Sequence, residues 1–151
     1  MVEVPILQVV CFVLRGLRRP FLKWKSAAQA VPAPVVKKAK SKASVGLIAI
    51  GSSDGAVMEA RDRLGAEGIY VDYMRIRGFP FAEEVADFIK AHDITYVVEQ
   101  NRDAQLRSLL MLDLDIDPAK LVPLLHYNGM PLNAGFVVEK VLEEIAKGRA
   151  A

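Results

Sequence analysis

From residue 45 onward, short apolar runs alternate with amphipathic stretches. Val45-Gly46-Leu47-Ile48-Ala49-Ile50 is apolar throughout. An unbroken run of this length marks a strand covered on both faces, as in a parallel sheet. Gly51-Ser52-Ser53-Asp54-Gly55 is the turn, with a serine or Asp54 to cap the next helix. That helix sets Val57, Ala60 and Leu64 on one side, and Gly65 or Gly68 closes it. The second strand is expected over 69–74, with a loop over 75–79 and a helix starting near Pro80. Phe81, Val85, Phe88 and Ile89 recur at helical spacing. Ile94-Thr95-Tyr96-Val97-Val98 reads as a third strand, and it ends in the polar cluster Glu99-Gln100-Asn101. A third helix carries Leu106, Leu109 and Leu110, and Asp117-Pro118 marks a capped short turn. Leu121 to Leu125 is the fourth strand. The last helix is expected to bury Val138, Val141, Leu142 and Ile145 and to stop at Gly148.

Four strand–helix units joined by short connections specify a doubly wound α/β domain, with a mainly parallel sheet between two helical layers. Val35-Val36 offers a further edge strand.

The first 44 residues follow a different pattern. Val4 to Leu14 is apolar apart from Gln8, which is well short of the roughly 20 residues a membrane-spanning helix needs. Its positive charges, Arg15, Arg18 and Arg19, follow the apolar run, whereas a signal peptide carries them ahead of it. Packing on the domain or on a partner is the plain reading of this run. A membrane-surface anchor through Ile6 to Arg19 is the sharper one, and it is not favoured. Phe21 to Ala28 suggests an amphipathic turn or two. Val31-Pro32-Ala33-Pro34 is held extended by its prolines. Lys37 to Lys42 reads as a solvated linker.

Charge sharpens that division. Residues 1–44 hold nine Lys or Arg and one acid, whereas residues 45–151 hold eleven basic and seventeen acidic side chains. We therefore place a basic leader and linker at 1–44 and the α/β domain at 45–151. The whole chain of 151 residues has a net charge of +2, which argues against a polyanionic partner. The lysine run lacks interleaved aromatic or arginine platforms, so no nucleic-acid partner is expected. A lone cysteine, Cys11, excludes an intramolecular disulfide and a cysteine-built zinc site. His92 and His126 show no metal-ligand spacing.

Ligands of open α/β sheets bind beyond the carboxyl ends of the strands. Gly51, Ser52 and Ser53 offer amides there to an anion, although their spacing matches no dinucleotide or P-loop pattern and Asp54 opposes an anion. Glu99 is either a general base or a carboxylate that orients its loop, with Gln100 and Asn101 beside it and Asn101 available as a helix cap. Arg75 and Arg77 flank Ile76, placed to grip an anion or to make an ion pair across an interface. His126-Tyr127-Asn128-Gly129 is the third polar cluster on this edge. There is no Gly-x-Ser-x-Gly elbow and no Cys-x-x-Cys. The residues by themselves therefore lead to a binding or assembly domain, with no catalytic residue and no metal ligand assigned.

Several stretches resemble the C-terminal domain of the alpha subunit of 2-oxoacid:ferredoxin oxidoreductases, especially the 2-oxoglutarate type. They are Lys23-Trp24-Lys25 through Pro34, Gly46 to Ser53, and Met74-Arg75-Ile76-Arg77-Gly78-Phe79-Pro80-Phe81. Val97-Val98-Glu99-Gln100-Asn101-Arg102-Asp103-Ala104-Gln105-Leu106 and Tyr127-Asn128-Gly129-Met130-Pro131-Leu132 complete the set. The matched positions run in order over residues 19–145, and Glu-Gln-Asn-Arg-Asp-x-Gln-Leu is the most specific. The resemblance implies a transketolase C-terminal-like three-layer α/β/α fold. It also implies a role in CoA-dependent oxidative decarboxylation of a 2-oxoacid in the cytoplasm, with electrons passing to ferredoxin. Asn128 stands where the family often has aspartate. The pyrimidine-binding part of the alpha subunit, the Gly-Asp-Gly…Asn motif and a cysteine set do not occur in these 151 residues. Thiamine diphosphate, magnesium and iron–sulfur centres are therefore expected on partner chains. The expected partners are a beta subunit and the N-terminal part of the alpha subunit, with ferredoxin reached indirectly. On this reading Arg75, Arg77, Glu99, Gln100, Asn101 and Arg102 serve an interface or orient loops. The alternative is a stand-alone anion- or nucleotide-binding module.

Overall fold

The computed structural model describes residues 16, 22–24, 26, 27 and 29–148. The apolar run 4–14, with Cys11, and Arg15, Arg18 and Arg19 lie outside them.

The strands are β1 (Val35–Lys37), β2 (Val45–Ile50), β3 (Val71–Ile76), β4 (Ile94–Glu99) and β5 (Leu121–Leu125). The helices between and after them are α1 (Asp54–Ala66), α2 (Glu83–Lys90), α3 (Gln105–Leu114) and α4 (Ala134–Ala146). The sheet order is β1-β3-β2-β4-β5. β2, β3, β4 and β5 are parallel, and β1 closes one edge antiparallel to β3. Period-two alternation sends successive residues of each central strand to opposite layers. Leu47, Ala49, Tyr73, Tyr96 and Val98 pack with Val57, Ala60 and Leu64 of α1 and Val137 and Val141 of α4. Ile48, Met74, Ile76 and Val97 pack with Val85, Phe88 and Ile89 of α2 and Leu106 and Leu110 of α3. The result is a three-layer α/β/α sandwich with a mainly parallel sheet. β2 tolerates no side chain at Gly46, since a Cβ there would lie 2.8 Å from Cε1 of Phe88.

Several boundaries differ from the sequence reading. β3 begins at Val71 because Ile69 belongs to the end of α1: its amide returns to the Leu64 carbonyl at 2.9 Å, and Gly68 turns the chain at φ +82°. Arg75 and Ile76 extend β3, paired with Ala49 and Ile50, so the loop starts at Arg77. α2 starts at Glu83, after a cis Phe79-Pro80 peptide and an extended step that seats Phe81 in the core. In α4 the fully buried pair is Val137 and Val141, four residues apart, with Val138, Leu142 and Ile145 flanking them. The Ser52 and Ser53 hydroxyls make no cap on α1; Gly51–Ser53 is a 3-10 turn instead.

β1 arises within the segment that composition assigns to the linker. Its register sets Val35 against Arg75 and Lys37 against Tyr73. Lys38 then reaches the buried Asp72 at 2.7 Å, so one residue of the lysine run is committed to the body. Ahead of it, Trp24 packs edge-on against Phe79, and Phe79 against Phe81.

Candidate functional site at the carboxyl edge

The chain leaves the carboxyl end of the central β2 toward β3 on one side, while β4 lies on the other. The crevice at such a reversal is where open α/β sheets place ligands. Here it brings together Gly51–Ser53 after β2 and Gln100–Arg102 after β4. Gln100 Nε2 donates to Ser53 Oγ at 3.2 Å and to Ser52 Oγ at 3.4 Å.

Glu99 organises the β4 side. It is the last residue of its strand and is 4% exposed. Its Oε2 accepts from the Leu106 amide at 2.7 Å and from Asn101 Nδ2 at 2.7 Å, and its Oε1 from the Arg107 amide at 3.0 Å. Those amides are the second and third of α3, free donors at a helix N-terminus where negative charge is favoured. Asn101 braces the same turn, its Oδ1 accepting from the Asp103 and Gln105 amides. It therefore supports the helix start from within the loop, while Ala104 holds the cap position at φ 49°. The Glu99 carbonyl accepts from the His126 amide at 2.9 Å, which fixes the third polar cluster to this hub. His126 is buried edge-on against Phe136 of α4.

On the β3 side Arg75 pairs with Asp54 at 3.2 Å. The Tyr73 hydroxyl donates to the other oxygen of Asp54 at 2.8 Å. Burial, and then the adjacent Asp54 carboxylate, push the Tyr73 phenol well above its ordinary range. Asp54 thus ties α1 to β3, a role the sequence reading missed because Tyr73 is nineteen residues away. Arg77 is exposed beyond β3. Arg102 is exposed and pairs with its neighbour Asp103 at 2.8 Å. Asn128 shapes the last loop by accepting from the Met130 amide at 2.9 Å.

The structure joins Ser52 and Ser53 to Gln100, and Asn101 to Glu99, in two hydrogen-bonded sets carried by consecutive residues after β4, and leaves Arg77 and Arg102 exposed. Around these sets Ile50, Phe79, Tyr127 and Met130 are exposed. The donors present do not fit a thiamine diphosphate–magnesium site. Among the described residues no three His, Cys, Asp or Glu gather as a metal would require. Both oxygens of Glu99 are already taken by the loop it holds. One cysteine in the chain cannot ligate an iron–sulfur cluster by itself. Among the described residues no helix is long and apolar enough to cross a membrane.

No protein-family model matches the chain. It is 30% identical over 106 residues to the alpha subunit of a 2-oxoacid:ferredoxin oxidoreductase from Saccharolobus solfataricus, a stretch that is 69% of this chain and 16% of that subunit. It therefore spans about a sixth of the curated relative it matches. Its fold superimposes on a 2-oxoglutarate:ferredoxin oxidoreductase from Magnetococcus marinus, solved with 2-oxoglutarate, coenzyme A and succinyl-CoA bound. That match has a TM-score of 0.75 and 27% identity, over 95% of this chain and 24% of the other. A split-gene transketolase, solved as an inactive β4 tetramer, shares the fold at TM-score 0.61 and 21% identity, over 75% of this chain and 41% of the other. The alpha chain of a probable 2-oxoacid ferredoxin oxidoreductase from Thermoplasma acidophilum shares it at TM-score 0.51 and 23% identity, over 76% of this chain and 97% of the other. Sequence and fold together make the chain a transketolase C-terminal-like α/β domain related to the alpha subunits of 2-oxoacid:ferredoxin oxidoreductases.

Proposed function

We propose that this chain is the C-terminal assembly domain of a 2-oxoacid:ferredoxin oxidoreductase alpha subunit, of the 2-oxoglutarate type, working in the cytoplasm. It supports CoA-dependent oxidative decarboxylation without performing it alone. Thiamine diphosphate, magnesium and the iron–sulfur centre are held elsewhere in the assembled enzyme, by the beta subunit and by the remainder of an alpha subunit. Ferredoxin is met only through that assembly.

One observation carries the reading. At the edge where an α/β domain usually presents its chemistry, the polar side chains point their hydrogen bonds inward, while apolar ones face out. Glu99 caps α3, Gln100 ties two loops, and Asp54 is spent on Tyr73 and Arg75. Exposed Ile50, Phe79, Tyr127 and Met130 surround them, with Arg77 and Arg102 on the rim. Aromatic residues, methionine and arginine are the types enriched at protein interfaces.

The test is binding. The chain should copurify with a co-expressed beta subunit and the rest of an alpha subunit. Calorimetry of the chain alone should give no heat with thiamine diphosphate and magnesium, CoA or nucleotides. Binding of CoA or a nucleotide by the isolated chain, abolished by changes at Gly51 to Ser53, would favour the anion-binding alternative instead.

A further inference from the structure

The apolar rim of the carboxyl edge continues onto the leader. Trp24, the single tryptophan of the chain, packs edge-on against Phe79, with ring centroids 5.2 Å apart. Phe79 packs edge-on against Phe81 at 5.1 Å, and Phe81 is 6% exposed. The Phe81 amide donates to Asp113 of α3 at 3.4 Å, which fixes the base of this ladder to the body. Farther along the leader, Val31 sits so near Gly78 that a Cβ there would lie 2.8 Å from Val31 Cγ1. The leader is thus seated on residues 78–81 at two points, and the Trp24 ring is held against the body. Even so, Trp24 is 45% exposed and Phe79 40%. Lys23 and Arg77, close to them in the chain, are exposed cations. Two stacked rings left in water forgo the burial that large aromatic side chains normally supply. A preordered tryptophan beside a second ring and an arginine has the composition of an interface centre.

We propose that Trp24 and Phe79 dock on the remainder of an alpha subunit, and not on the beta subunit. The inference rests on the assembly reading above and names the partner of one part of that surface. Length carries the choice. The Magnetococcus chain superposes on 95% of this one, so most of the leader lies inside the match, yet the match uses 24% of that chain. About three quarters of that chain therefore lies beyond the match. For a C-terminal domain, that portion precedes the matched stretch and joins it at the leader. A patch carried by the leader lies beside this junction, so the rest of the same subunit is the surface within its reach. The complementary surface is an apolar socket for the Trp24 ring, edged by carboxylates that meet Lys23 and Arg77.

Fluorine NMR of the full chain tests this, with 5-fluorotryptophan as the label, so that one signal reports position 24. The signal should move when the unlabelled remainder of an alpha subunit is added, and should stay in place with the beta subunit alone. Trp24→Ala should weaken binding to that remainder about tenfold or more, and Trp24→Phe by less. An unmoved signal in the assembled complex, or full affinity in Trp24→Ala, would overturn the proposal and leave the assembly reading standing. Movement with the beta subunit alone would overturn it in the same way. Movement with the chain's own concentration would assign the face to a second copy and overturn it too. If neither subunit binds the unaltered chain, the assembly reading fails and this inference with it. If Trp24→Ala does not fold, the fluorine signal of the unaltered sequence still decides.

Discussion

Two buried carboxylates sit at opposite ends of this sheet and are stabilised in opposite ways. Glu99 at the carboxyl end is held by neutral donors, two helix amides and an asparagine, all within eight residues of it. Asp72 at the amino end is held by Lys38 and His92, which are 34 and 20 residues away. Local capping makes the Glu99 loop a unit that forms with its own helix. Long-range pairing makes Asp72 a clamp that forms only when β1, β3 and the turn after α2 are already together. The first builds a surface, and the second fastens the leader to the body.

Removing each carboxylate should separate these roles. Glu99→Ala strands two helix amides and Asn101, and should cost about 3 kcal/mol in chemical denaturation, with exchange protection lost first in α3. Asp72→Ala should cost slightly less, about 2 kcal/mol: it strands the Ala39 amide and the buried His92 ring nitrogen, but the Lys38 side chain is 65% exposed and stays in water. Its exchange losses should centre on residues 35–39. If both variants lost protection evenly across the chain, the division between local cap and clamp would fail.

Acid should tell the two ends apart as well. The Asp72 carboxyl is held below its ordinary range, so its contribution is complete above about pH 4, the unfolded value, and fades as pH falls through the lower folded value. Asp72→Asn should therefore show a shallower fall in stability on the acid side than the unaltered chain, measured by thermal unfolding across pH. An identical slope would remove Asp72 from the account. The smallest effect is expected at Asp117, whose carboxylate accepts from the Ala119 amide at 2.9 Å in an exposed turn. Asp117→Ala should cost about 1 kcal/mol or less, leaving both ends of the sheet protected.

The same contrast explains what the sequence reveals. The strands β2, β4 and β5 and the buried face of α1 can be read from residue patterns, because burial on both sides of a parallel sheet leaves an unbroken apolar run. Glu99 to Leu106 is readable for the same reason as any cap: donor and acceptor are close in the chain. The sequence pattern starts β3 two residues early because Ile69 looks like a strand residue, yet it is spent closing α1 behind Gly68. The pattern favours Val138 over Val137 because α4 is apolar on much of its circumference, so phase alone does not choose the core residue. Asp54 with Tyr73, and Asp72 with His92 and Lys38, were invisible. Each joins segments that only the folded sheet brings side by side, and an aspartate within a strand run carries no sign of its partner.

Turnover measures the central claim most directly. CoA-dependent oxidation of 2-oxoglutarate, with reduction of ferredoxin followed spectroscopically, should be absent with this chain alone. It should appear when the chain is combined with a beta subunit and the remainder of an alpha subunit supplied with thiamine diphosphate and magnesium. Ferredoxin reduction by the unaccompanied chain, or an assembled enzyme equally active without it, would contradict the account.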